Sequence, residues 1–374
     1  MIKRIARAGI LLSLICGSAT AGDLVVSQVV PLSGPIAANG QGLASGSTAY
    51  FAKLNASGGI NGNKIVLNTM DDQYKPEETL RLVQKSIAEV HPLVFMNFTG
   101  AANIELLLKV GELEKDHIAL VGPRAGTQSL RSPVNPLLFH TYASYWDEVE
   151  YMVDIFVATG MTRFAVIYQD DAFGRDPYEG LKLALKKRNL ELVAAEGHPR
   201  GSKDITAAGE KIMKANPQAV IFSTITIAAG EFLKQYREKM PGVQFAGISA
   251  IDSATLVKLA GAKLARGFVV AGNMPNPNKK SIAFVREHRE LMAKYAPDVK
   301  PNIYTLGGHA SAKVVAEALR RAGPKPTREK VMAALEGIKD FDIGGVQYSF
   351  GKGLRMGTKF VDLLIIDANG EPQS

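Results

Sequence analysis

Residues 163–223 decide the fold, because short apolar strands alternate there with helical patterns. In chain order the segments are RFAVIY (163–168), PYEGLKLALKKR (177–188), ELVAAE (191–196), DITAAGEKIMKA (204–215) and AVIFS (219–223). The first, third and fifth are mostly apolar and short enough for strands, whereas the second and fourth carry apolar residues at helical spacing. This alternation predicts a parallel sheet covered by helices on both faces.

The same alternation extends along the chain in both directions. Further strands are predicted at 24–30, 64–70, 93–98, 117–121, 244–248 and 267–271. Further helices are predicted at 40–55, 76–90, 102–113, 147–159, 228–239, 280–295 and 304–322. Two series of strand–helix units predict an α/β protein with two doubly wound, Rossmann-like lobes. A length of 374 residues is enough for two such domains.

The late helices and strands follow both series, so they must pack on lobes that have already begun. We predict an N-terminal lobe of residues 22–142 and 275–346, and a C-terminal lobe of residues 143–274 and 347–374. The chain then crosses between the lobes three times, and three crossings form a hinge. Ligands of open parallel sheets bind beyond the carboxyl ends of the strands, so the cleft between the lobes is the expected binding site.

The first 21 residues are predicted to be a secretory signal peptide. Basic residues precede a short apolar run at 8–16, and Ala19-Thr20-Ala21 has the pattern of a cleavage site. The run is shorter than the roughly 20 residues that span a bilayer. Lipidation of Cys16 is disfavoured because the bulky Ile15 precedes it. Cleavage after Ala21 leaves 353 residues without cysteine, and we expect a periplasmic protein.

Charge and composition exclude other classes of protein. The composition, 46% hydrophobic and 21% charged, is that of a globular protein. The net charge of +8 falls to +5 when the signal peptide leaves with Lys3, Arg4 and Arg7. The remaining basic clusters are short and are not interleaved with aromatic residues, so we expect no nucleic-acid partner.

Several candidate motifs lack the features of a cofactor, metal or catalytic site. Gly40, Gly42 and Gly46 lack the spacing of a dinucleotide fingerprint, and packing of helix on sheet explains them better. The six histidines have no metal-ligand spacing, and no G-x-S-x-G elbow surrounds Ser249. Asp71-Asp72 is more typical of a turn and helix N-cap than of acid–base chemistry. We therefore expect no catalytic residue, no metal and no cofactor.

An ordered set of motifs resembles a known family. The motifs are Pro31–Pro35, Asn55–Gly62, Asp71-Asp72 with Pro76, Gly122-Pro123 with Gly126 and Ser129–Arg131, Tyr168–Gly174, and Ala322-Gly323 with Pro326–Glu329. Together they resemble periplasmic solute-binding proteins of the leucine/isoleucine/valine-binding type, across the whole mature chain. The resemblance implies a type I periplasmic binding fold. Such a Venus-flytrap receptor traps a small solute between its lobes and delivers it to an ABC importer.

The resemblance also implies the site. In the family, turns after the strands hold the ligand's carboxylate through backbone N–H groups, and aromatic residues of the other lobe cover it. The positions that match here, with neighbouring loop residues, are Asn39, Phe98, Thr99, Gly100, Arg124, Ala125, Gly126, Tyr145, Phe173, Thr224, Thr226 and Ser249.

The chain departs from the family at three of the matching positions. Ser249 stands where amino-acid-binding members have a carboxylate that pairs with the ligand's ammonium, and Gly307 stands where relatives have a glutamate. Ala125 replaces a threonine, with Arg124 beside it. Asp252 is three residues out of place. Fewer acids and an added arginine favour a small organic acid, aromatic acids included, and an amino acid remains an equal alternative.

The expected partners follow from the resemblance. They are a small solute and the permease and ATPase complex of an inner-membrane ABC transporter, with the binding protein itself a monomer. A ligand-sensing subunit that feeds a membrane signalling receptor is an alternative with the same fold. An exported α/β hydrolase is the alternative from another class, and the absence of a nucleophile motif argues against it.

Overall fold

The computed structural model describes residues 22–373, and the predicted signal peptide lies outside the described residues. The strands are β1 Asp23–Val30, β2 Lys64–Asp71, β3 Val94–Met96, β4 Leu120–Val121, β5 Leu138–Phe139, β6 Phe164–Gln169, β7 Leu192–His198, β8 Ala219–Ser223, β9 Gln244–Gly247, β10 Val269–Gly272, β11 Phe341–Asp342, β12 Gln347–Tyr348, β13 Asp362–Ile366 and β14 Pro372–Gln373. The helices are α1 Ala37–Ala56, α2 Pro76–Val90, α3 Ala101–Val110, α4 Glu112–Lys115, α5 Tyr145–Ala158, α6 Ala172–Lys186, α7 Thr206–Lys214, α8 Thr226–Tyr236, α9 Ser253–Ala260, α10 Ala262–Ala265, α11 Ala283–Tyr295, α12 Ile303–Ala322 and α13 Arg328–Glu336.

Two sheets form two lobes, as the alternating pattern predicts. The first lobe has a parallel sheet in the order β2-β1-β3-β4-β5. The second has the order β14-β13-β10-β9-β8-β6-β7, in which β6 to β10 run parallel, β13 is antiparallel to β10 and β14 is antiparallel to β13. β5, with only two residues, was not anticipated because so short a strand has no period to detect. Among residues 22–373 no helix is both long and apolar enough to cross a membrane.

The predicted return of the chain at residue 347 comes too early. β12 pairs with β11, and Tyr348 and Phe350 are buried in the core of the first lobe. The ring of Phe350 lies 5.4 Å from that of Phe139 at the end of the first sheet, and Met356 forms a bridge with His140. The two aromatic side chains thus hold residues 347–357 on the first lobe, and the chain joins the second sheet only at β13.

The glycines of α1 pack one helix tightly against another. A Cβ added at Gly46 would lie 1.9 Å from the carbonyl oxygen of Thr305 on α12, and one at Gly42 would lie 2.7 Å from Cβ of Tyr304. From the other side, a Cβ at Gly308 would lie 2.0 Å from the carbonyl oxygen of Leu43. These glycines therefore serve packing, but against a helix rather than the predicted sheet.

The contact between α1 and α12 predicts a large cost for one added methyl group. Gly46→Ala should lower the free energy of unfolding by about 3 kcal/mol, because the backbones would have to move apart in a packed core. Urea denaturation of the purified protein measures this. Thr48→Ala, an exposed position on the same helix, is the matched control and should change it by less than about 0.5 kcal/mol. Equal stabilities for both variants would contradict the close packing.

Candidate functional site

A small cavity lies between the lobes at the carboxyl ends of both sheets. The space open to the centre of a water molecule is about 20 Å³, room for one or two waters. The lining residues are Ile36, Asn39, Tyr74, Thr99, Gly100 and Arg124 from the first lobe, and Tyr145, Phe173, Ile225 and Ala250 from the second. Except for Tyr145, in the first turn of α5, each follows a parallel strand, so the cavity occupies the place predicted for ligands of such sheets.

Six of the twelve predicted site residues line the cavity. They are Asn39, Thr99, Gly100, Arg124, Tyr145 and Phe173. The rings of Tyr145 and Phe173 meet edge to face, 5.7 Å apart, and form an aromatic wall on the side of the second lobe. Two aromatic rings of the second lobe thus line the cavity where the sequence predicts aromatic cover.

The other six predicted residues lie behind the lining, because their side chains are engaged elsewhere or point into the cores. Phe98 packs on Phe95 and Ala125 is in the core, while Gly126 lies under the ring of Tyr145. The hydroxyl of Thr224 lies 2.6 Å from Nε2 of His198, and that of Thr226 accepts from the Asp252 backbone N–H. The hydroxyl of Ser249 donates to Glu148.

Four lining residues were missed. Ile36, Ile225 and Ala250 have no chemistry that marks a ligand site in a sequence, and Tyr74 lies in a turn where the sequence indicated only Asp71-Asp72. Two signals were present all the same, since Ile225 lies between two predicted threonines and Ala250 follows Ser249.

The two turns expected to offer backbone N–H groups bind one another instead. The Arg124 N–H donates to the carbonyl of Phe98 at 2.6 Å, and the Gly100 N–H donates to the carbonyl of Arg124 at 3.3 Å. This bridge uses two of the expected donors. The backbone of these turns therefore offers two donors fewer than expected, and the Arg124 side chain is the charged donor on the cavity wall.

Arg124 is the charged side chain of the cavity wall and is only 7% exposed. Its Nη2 donates to the carbonyl oxygen of Ser249 across the cleft at 2.9 Å. The guanidinium carbon lies 4.7 Å from the ring centroid of Tyr142 and 5.3 Å from that of Tyr304. Arg124 forms no ion pair with a carboxylate among residues 22–373, although its charge acts on the buried Glu148. Its Nε and Nη1 therefore keep their capacity to bind an anion.

Glu148 is a buried acid that the sequence did not reveal. Its Oε2 accepts from the Ser249 N–H at 2.9 Å, and its Oε1 accepts from the Ser249 hydroxyl at 2.6 Å and from Asn273 Nδ2 at 3.2 Å. It lies on α5 just after the first crossing, whereas Asn273 lies at the second. Burial raises the pKa of Glu148 to about 7, although the hydrogen bonds from Ser249 oppose the shift.

Comparison with known proteins agrees with this architecture. The family model for periplasmic binding proteins matches residues 25–359. The chain belongs to the periplasmic binding protein family. It is similar to a substrate-binding periplasmic protein from Ralstonia solanacearum, with 37% identity, a TM-score of 0.89, and coverage of 94% of this chain and 100% of that one. The family assignment and the two-lobed α/β fold predicted from the sequence are confirmed, and the chain is a binding protein rather than an enzyme.

Two further relatives carry names that state a ligand. "Leu/Ile/Val-binding protein homolog 3" of Brucella melitensis is 24% identical over 338 residues, which cover 89% of each chain. A branched-chain amino acid ABC transporter protein from Thermus thermophilus, solved with bound valine, matches with a TM-score of 0.83 at 20% identity and covers 94% of this chain and 95% of that one. At that identity the structural match concerns the fold alone.

The burial of Glu148 predicts a specific pH dependence of stability. The folded protein keeps a proton up to a pH of about 7, whereas the unfolded chain loses it near 4.5. Through this group the free energy of unfolding falls as pH rises across that window, by at most about 1.4 kcal/mol per pH unit. Glu148→Gln removes this pH-dependent contribution to the free energy of unfolding, so the variant should lose less stability than the wild type between pH 5 and 7.

Urea denaturation at several pH values measures how the free energy of unfolding changes with pH. This slope is compared between variant and wild type, rather than the stability at one pH, because an amide also changes the hydrogen bonds around Ser249. The control is Glu210→Gln, an exposed position on α7, which should keep the wild-type slope. If Glu148→Gln also keeps it, Glu148 does not hold a proton in the folded protein.

Proposed function

We propose that this protein is the solute-binding subunit of an ABC importer and that its solute carries a carboxylate bound by Arg124. The observation that supports this most is a buried guanidinium on the cleft wall that makes no direct ion pair with a carboxylate among the described residues. A buried charge is costly unless it is paired. An anionic group from outside would supply the missing pair, and the planar fork of arginine suits a carboxylate.

The remaining walls indicate the body of the solute. Tyr74, Tyr145, Phe173, Ile36 and Ile225 surround the space beside Arg124 with aromatic and aliphatic surface. Such walls bind an apolar or aromatic group attached to the carboxylate. The present cavity is too small for any such solute, so binding requires the lobes or the aromatic side chains to move apart.

Whether the solute also carries an ammonium group depends on Glu148. None of the lining residues is acidic, which favours a carboxylic acid without an amino group. The names of the relatives favour an amino acid, and the buried Glu148, which lies behind Ser249, is an acid that could compensate an ammonium. The carboxylate is common to both candidates.

Export and delivery complete the proposal. Residues 1–21 would direct the chain to the periplasm and be removed, and the closed form with its solute would bind a permease in the inner membrane. Membership of the periplasmic binding protein family supports this location and this partner.

Native mass spectrometry of the purified protein, before and after denaturing release, tests the solute class. We expect a carried-over small molecule with a carboxyl group. A neutral sugar or a cationic solute would contradict the assignment. Capture of a permease or of a membrane receptor by the loaded protein separates import from signalling.

Replacing Arg124 tests its role in binding. Calorimetric titration with L-leucine and with 4-methylpentanoate, which is leucine without its amino group, compares the two solute candidates directly. For the candidate that binds, Arg124→Ala should weaken affinity about 10- to 100-fold through the lost charge-assisted hydrogen bonds. Arg124→Lys should recover part of it, since lysine keeps the charge without the fork.

The matched control for this titration is Arg81→Ala, which removes an exposed arginine from the same lobe and should leave affinity unchanged. Wild-type affinity in Arg124→Ala would remove the basis for an anionic solute. Circular dichroism of each variant checks that the fold is intact.

A further inference from the structure

Arg200 lies at the rim of the cleft, on the loop that follows β7, and contacts both lobes. Its Nη2 donates to the carbonyl oxygen of Tyr74 at 3.1 Å and to Oδ1 of Asn103 at 3.2 Å, both in the first lobe. Its guanidinium carbon lies 4.0 Å from the ring centroid of Tyr74, and Nη1 lies 3.4 Å from the Tyr74 hydroxyl. We propose that Arg200 is a latch that stabilises the closed form of the two lobes without help from a solute.

The acceptors on the first lobe are held in place by that lobe alone. Asp72 is buried and accepts from the Tyr74 N–H at 2.9 Å, from the Thr79 hydroxyl at 2.6 Å and from Asn103 Nδ2 at 3.2 Å. The same Nδ2 donates to the Thr79 hydroxyl at 2.7 Å. With its amide nitrogen engaged in this way, Asn103 presents Oδ1 to Arg200. Closure therefore does not have to order these groups.

The Asp71-Asp72 pair thus has a structural role, as the sequence favoured, but within the turn rather than at the helix N-cap. Asp71 and Asp72 accept from the N–H groups of Gln73 and Tyr74, each at 2.9 Å. Gln73 and Tyr74 have φ values of +54° and +65°, a backbone conformation that residues other than glycine rarely adopt. The two aspartates hold this turn and with it the carbonyl of Tyr74 that receives Arg200.

The second lobe fixes the donor in the same manner. Asp171 accepts from Arg200 Nη1 at 2.5 Å and also caps α6 by accepting from the Gly174 N–H at 3.1 Å. Gln169 anchors the loop, since its Nε2 donates to Asp171 at 2.8 Å and its Oε1 accepts from the Gly201 N–H at 3.0 Å. The charge of Arg200 is neutralised within its own lobe, and its remaining donors face the first lobe.

These contacts favour only the closed form, because the donor and acceptors separate when the lobes part. Every partner of Arg200 named here belongs to the protein, so the latch does not depend on the identity of the solute. Charge-assisted hydrogen bonds and a cation–π contact at a site 27% exposed should shift the ratio of closed to open molecules about 5- to 50-fold. Tyr74 also lines the cavity, so the latch sits directly on the cavity wall.

The ratio of closed to open molecules can be measured directly by spin labelling. Glu77 and Lys203 are exposed, lie on opposite lobes and each follow a latch residue by three positions. Cysteines at both positions can be labelled alone, because Cys16 belongs to the predicted signal peptide. Electron–electron distance measurements then report closure in protein freed of any bound solute by denaturation and refolding.

We expect a short-distance population in the wild type, and a ratio of short to long distances that falls about 5- to 50-fold in Arg200→Ala and recovers in part in Arg200→Lys. The matched control is Arg175→Ala, an exposed arginine paired with Asp170 inside the second lobe, which should leave the distances unchanged. An unchanged distribution in Arg200→Ala, or a wild type that is wholly open, would overturn the latch. Because no solute is present, a failure of the proposed carboxylate ligand leaves this result readable.

Discussion

A positive charge buried between two lobes constrains the rest of this site. Arg124 is only 7% exposed, so little water reaches its guanidinium. The protein meets part of the electrostatic cost with the Ser249 carbonyl and the faces of Tyr142 and Tyr304. A full counter-charge at contact distance is missing. The selectivity of the cavity follows from that shortfall, because a ligand that supplies the charge gains more there than a neutral one.

The second acid of the region shows how closely the hinge and the cleft are connected. The Ser249 backbone accepts from Arg124 through its carbonyl, whereas its N–H and hydroxyl donate to Glu148. Asn273 at the second crossing donates to the same carboxylate. One residue thus joins a cation of the first lobe to the segments about which the lobes move. A continuous chain of hydrogen bonds therefore connects the charged group in the cleft with the segments at the lobe crossings.

Most of the fold could be predicted from sequence, because the alternation of strands and helices is a local pattern and the two lobes are built from it. The location of the cleft also followed, since strand ends can be located within a few residues.

The direction in which each side chain points could not be predicted. Thr224 and Thr226 flank the right loop, but their hydroxyls meet His198 and the Asp252 N–H, and the featureless Ile225 faces the cavity. Glu148 was missed because its partners are about 100 residues or more away along the chain. The predicted return to the second lobe at residue 347 was wrong for a similar reason, because Phe350 packs on Phe139, which is distant along the chain.

The tight contact between α1 and α12 has a consequence for how the chain folds. Gly46 meets Thr305 only after more than 250 intervening residues have been made, whereas β6 to β10 and their helices form one continuous segment. Contacts distant in sequence are the slow ones to form. The five parallel strands of the second lobe can therefore assemble while the first lobe still lacks α12, and β13 and β14 join them later. A chain emerging from a membrane with its N-terminus leading would expose the unfinished first sheet longest, and that sheet is where aggregation during export should begin.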